Sequence, residues 1–82
     1  MAVKEADETE IGRAMRVLRA RHGFSQETFG FESGLHRNYV GAVERGEAHP
    51  TLRTLRRIAT GFDMSLAELF AFAESVAEDA RR

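Results

Sequence analysis

Apolar residues recur at Ile11, Met15, Leu18 and His22, at steps of four, three and four, which is the signature of one buried stripe on a helix. Gly23 follows as a suitable left-handed stop. Ser25 then offers a side-chain oxygen to the amides of a second helix, with Glu27 at its positive end and Phe29 inward, running to about Glu32. Ser33-Gly34-Leu35 reads as a sharp three-residue connection that turns Leu35 toward the core. A third helix is predicted from about His36 to Arg45, with Val40 and Val43 inward and Gly46 as its stop. His36 is a poor capping type, so this start should either lose stability or find a compensating contact. Pro50-Thr51 opens a fourth helix, with Leu52, Leu55, Ile58 and Ala59 at helical spacing and Gly61 as its expected end. Ser65-Leu66-Ala67-Glu68 is a capping box, and Met64 with Leu69 supplies the hydrophobic staple of a fifth. That helix carries Leu66, Leu69, Phe70, Phe72, Ala73 and Val76, more apolar surface than one stripe requires.

The pattern predicts an all-α fold of five helices with one folded unit over about 9–78. An acidic flexible segment over 1–8 and a frayed end over 79–82 are expected to flank it. Eighty-two residues suffice for one core and leave no room for a large catalytic cleft. No cysteine is present for a disulfide or thiolate metal site. The opening MAVKEADETE lacks the apolar run of a secretion signal, and no stretch approaches a membrane span, so a soluble cytoplasmic protein is expected. His22, His36 and His49 lack neighbours at metal-ligand spacing, and no nucleophile-base grouping or phosphate-cradling loop can be assembled. The expectation is a non-enzyme without metal, cofactor or small-molecule ligand.

The net charge of −1 conceals a basic centre: residues 1–10 carry −3, residues 11–57 carry +5 and residues 58–82 carry −3. A local basic face is what phosphate contact requires, whatever the total. A short helix, a Gly-containing turn and a second helix with a polar outer face make the unit, about 25–45, that fits a DNA major groove. With Val40 and Val43 inward, Arg37, Asn38, Gly41 and Ala42 are left on the exposed side of the third helix. Arg matches guanine O6 and N7, Asn matches adenine N6 and N7, and small residues admit close approach or a thymine methyl. Tyr39 and Gln26 are placed to contact phosphate.

At these residues the chain resembles the lambda-repressor-like, or xenobiotic-response-element-type, helix-turn-helix regulators. The resemblance is carried by Ile11-Gly12, Leu18-Arg19, Phe24-Ser25-Gln26-Glu27, Gly34-Leu35, Tyr39-Val40, Val43-Glu44-Arg45-Gly46 and Pro50-Thr51-Leu52. The stretch from Leu35 to Gly41 also looks like controller proteins of restriction-modification systems. The resemblance implies Gln26 against a phosphate, Arg37, Asn38 and Ala42 at base-reading positions, further phosphate contacts from Arg45 and Arg53, and a structural ion pair between Arg19 and Glu44. Three positions depart from the family pattern. Gly30 replaces the usual Ala and should weaken the second helix by about 1 kcal/mol; Phe31 replaces a polar residue and is expected to cover a gap against the first helix, with an exposed contact patch as the second reading; His36 replaces the usual cap. One short reading helix seldom suffices, so a homodimer on a near-palindromic double-stranded operator is expected, with Leu69, Phe70, Phe72, Ala73 and Val76 as its interface. The expected activity is repression or autoregulation. The competing reading is an antitoxin or adaptor that uses the same fold to bind protein.

Overall fold

The computed structural model describes residues 8–80, which form α1 (Glu8–His22), α2 (Gln26–Ser33), α3 (Arg37–Glu44), α4 (Leu52–Gly61) and α5 (Leu66–Ala80). The expected flexible segment lies, up to residue 7, outside the described residues, as do 81–82 of the expected frayed end; α5 itself continues to Ala80.

Each helix begins or ends on local chemistry that the sequence supplies. The α1 stop is a paired closure in which Gly23 N–H bonds Ala20 O at 3.2 Å and Phe24 N–H bonds Arg19 O at 2.8 Å. Ser25 Oγ accepts from Thr28 N–H at 2.9 Å to start α2. Thr51 does the same for α4, and Ser65 and Glu68 exchange both bonds of the capping box, at 2.7 and 3.0 Å. Between α2 and α3, Gly34 takes φ 75°, which costs glycine little and a residue with a Cβ much more.

The helices wrap one core built from Ile11, Met15 and Leu18 of α1, Phe29 of α2, Val40 and Val43 of α3, Ile58 and Ala59 of α4 with Phe62 just beyond it, and Leu69 and Ala73 of α5. Phe29 and Phe62 stack with ring centroids 4.1 Å apart, worth about 0.5–1.5 kcal/mol beyond the area they bury. Leu35 is half-buried against this core, as its inward turn requires.

Three expectations change. His22 is exposed rather than inward, its ring lying over Phe24 and Phe62 at the edge of the core. α4 ends at Gly61 as expected; the left-handed residue that follows is Asp63 at φ 59°, and Met64 N–H closes the turn on Ala59 O at 2.8 Å. Gly61 is also a contact point, since a Cβ there would lie 2.8 Å from the Phe29 ring. Phe31 covers no gap; it is 87% exposed, because it projects from the face of α2 opposite Phe29. Finally, Gly30 is required by packing. A Cβ there would sit 2.5 Å from Leu35 O, so the close approach of α2 to the turn takes the place of the helix propensity that Ala would bring.

Candidate nucleic-acid interface

The outer side of α3 is set by what its inner side buries. With Val40 and Val43 fully enclosed, Arg37 and Asn38 stand exposed at the first turn and Ala42 is half-exposed one turn on. His36 caps this helix after all: its Nδ1 accepts from Asn38 N–H at 3.0 Å, the compensating contact that its poor capping type requires. The cap therefore fixes the backbone at the two residues with the best groove chemistry.

Gly41 is not on the open face. It is buried beneath the side chains of Gln26 and Arg45, which lie 3.3 and 3.0 Å from where its Cβ would be, so its small size makes room for them and not for a base. Tyr39 is half-buried, with its side chain against the core. Arg45 is exposed and pairs with Glu47 at 3.1 Å. Arg53 is exposed on α4 and lines a shallow cleft with Arg56, Arg57, Leu52 and Ser33.

Behind the exposed face sits a buried charge. The Glu44 side chain is 1% exposed, and Arg19 reaches it from α1 with two guanidinium nitrogens, Nη2 donating to Oε1 at 2.9 Å and Nε to Oε2. Arg19 Nη1 also donates to Phe24 O at 2.9 Å, tying the α1–α2 turn to the same cluster. The hydrogen bonds to Glu44 raise the Arg19 pKa above the ordinary arginine value; burial opposes them, and the charge of Glu44 adds to the rise. Arg19 therefore stays ionised wherever the protein is folded. Gln26 donates from Nε2 to Glu44 Oε1 at 3.0 Å, so one carboxylate ties α1, the start of α2 and the end of α3. The remaining N–H of Gln26 is available for a phosphate oxygen. Every buried side-chain nitrogen and oxygen among the described residues has a partner.

Sequence reasoning missed two features. Gln26 belongs to the Glu44 cluster, and Arg37 pairs with Glu27 of α2, Nη1 to Oε2 at 2.9 Å. Neither follows a helical period, since both bridge separate helices. Of the residues expected to face a partner protomer, Leu69 and Ala73 are fully enclosed in their own core, which withdraws them from that surface. Phe70, Phe72 and Val76 remain half-exposed, with the Arg21 guanidinium 5.0 Å over the Phe72 ring. No group of three or more metal-type side chains occurs among the described residues, and none of their helices is long and apolar enough to cross a membrane.

The helix-turn-helix family HTH_3 matches residues 15–69. The crystal structure of the restriction-modification controller protein C.AhdI from Aeromonas hydrophila is 44% identical; the match covers 77% of this chain and 96% of that one, with a TM-score of 0.73. Control protein C.SmaI of Serratia marcescens is 42% identical over 59 residues, which cover 72% of this chain and 70% of that protein. The HTH-type transcriptional regulator SlrR of Bacillus subtilis is 34% identical over 61 residues, 73% of this chain; the match spans only 40% of SlrR.

Proposed function

Because the chain belongs to the helix-turn-helix family HTH_3, we propose that it is a sequence-specific DNA-binding transcriptional regulator that reads a near-palindromic operator as a homodimer, with α3 in the major groove. The observation that carries this reading is the pair Arg37 and Asn38, exposed together at the capped first turn of α3. Arg37 supplies the fork for guanine and Asn38 the paired donor and acceptor for adenine, while Ala42 admits a thymine methyl. Gln26 grips the backbone from the start of α2, and Tyr39, Arg45 and Arg53 add phosphate contacts.

Two protomers reading half-sites about 34 Å apart, one turn of DNA, would raise both affinity and specificity. Phe70, Phe72 and Val76 are the part of α5 left to make that dimer. The protein is a non-catalytic cytoplasmic regulator that works without cofactor or ligand, and repression, including of its own gene, suits an operator binder of this size. A controller role in a restriction-modification system is the subfamily reading, supported by the likeness to C.AhdI and C.SmaI.

Selection of bound duplexes from a random pool at about 0.15 M salt, near physiological screening, tests the proposal. A two-fold symmetric consensus is the expected result. Folded protein that enriches no sequence would contradict it and favour the protein-binding module.

A further inference from the structure

Glu27 and Arg37 lie on opposite sides of the turn between α2 and α3, and their side chains meet at 2.9 Å through a single guanidinium nitrogen, Nη1. Among the described residues the Arg37 guanidinium makes no other side-chain or backbone hydrogen bond, so Nε and Nη2 keep their donors. We propose that Glu27 is a positioning residue for sequence discrimination, which holds Arg37 from one end so that its free fork meets guanine already oriented. This rests on the reading of α3 as the DNA-reading helix.

The Glu27–Arg37 pair acts through order and charge rather than through stability. Both side chains are well exposed, at 60% and 75%, and such a pair adds little to folding. Its use lies in restricting a long side chain before binding, so that less rotamer freedom is lost on the base. Glu27 stands in the first turn of α2, where the positive helix end favours a carboxylate. That same carboxylate, near a groove lined with phosphates, repels DNA of every sequence. A positioning role therefore has an unusual signature. Removing the charge should tighten binding to all DNA while loosening discrimination at one base pair. A purely structural residue would weaken both, and a carboxylate that merely competes with the base for Arg37 would, on removal, sharpen discrimination.

The test measures affinities of wild type, Glu27→Gln and Arg37→Ala for the selected consensus duplex, for duplexes altered at the base pair where Arg37→Ala loses discrimination, and for an unrelated duplex. Circular dichroism melting confirms that each variant is folded. Glu27→Gln should bind the unrelated duplex more tightly and lose about three- to tenfold of the discrimination at that pair, part of the roughly 5–150-fold that a good bidentate contact provides. Glu27→Asp, shorter by one methylene, should recover part of the loss. Unchanged or increased discrimination in Glu27→Gln overturns the inference while leaving the reading of α3 intact. Wild-type protein without discrimination at any base pair overturns both.

Discussion

Glu44 brings a full negative charge into a region where its side chain is 1% exposed, and Arg19 is what makes that tolerable. Arg19→Ala should lower unfolding stability by about 3–5 kcal/mol, because it leaves a buried carboxylate with the neutral Gln26 donor at 3.0 Å and, as its remaining cation, the more distant Arg16 at 3.8 Å, and urea titration will read the loss. A loss under about 1 kcal/mol would mean that the cluster behaves as a surface pair. Gly30 makes a second point. Helix propensity says that Ala should stabilise α2 by about 1 kcal/mol. The 2.5 Å separation from Leu35 O says that Gly30→Ala should instead destabilise by about 1–3 kcal/mol, as overpacking does, and the same titration decides between them. The Arg19–Glu44 pair was legible from the family resemblance, and the exposure of Arg37 and Asn38 from helical period alone. The Glu27–Arg37 contact and the burial of Gly41 were not, because each depends on how two helices lie across a turn, which no one-dimensional period encodes.

At the scale of helices, the positions of all five were legible because their boundaries rest on local chemistry: serine and threonine caps, a capping box and apolar stripes. Glycine serves packing as well as punctuation: Gly30 and Gly61 each sit where a Cβ would collide with a neighbour. Gly61 ends α4 as read, and the chain reverses two residues later at left-handed Asp63, a conformation that Asp tolerates better than most residues. The start of α3 is the element on which function depends most. Its only side-chain cap is the imidazole of His36. His36→Ala should cost about 1 kcal/mol, seen as a fall of roughly 4–8 °C in melting temperature for a domain of this size. His36→Ser should recover most of it by capping conventionally. An unchanged melting temperature in His36→Ala would show that the cap carries no weight.

Across the whole molecule, the basic centre between two acidic ends concentrates positive charge on the elements that would face DNA, while a net charge of −1 limits unspecific attraction. With so small a core, association through α5 would add stability as well as supply operator symmetry. If α5 forms the dimer through Phe70, Phe72 and Val76, the melting temperature should rise with protein concentration, and Val76→Glu should abolish that dependence by placing a charge in the interface. A melting temperature independent of concentration, with monomer mass in sedimentation, would show that α5 forms no dimer. Base reading by Arg37 of α3 is tested by the affinity of wild type and Arg37→Ala for the consensus duplex and every single-base variant of it. Discrimination should fall by about 1–3 kcal/mol at one base pair per half-site and persist at the others. An equal loss of affinity on every sequence would instead make Arg37 a phosphate contact that reads no base.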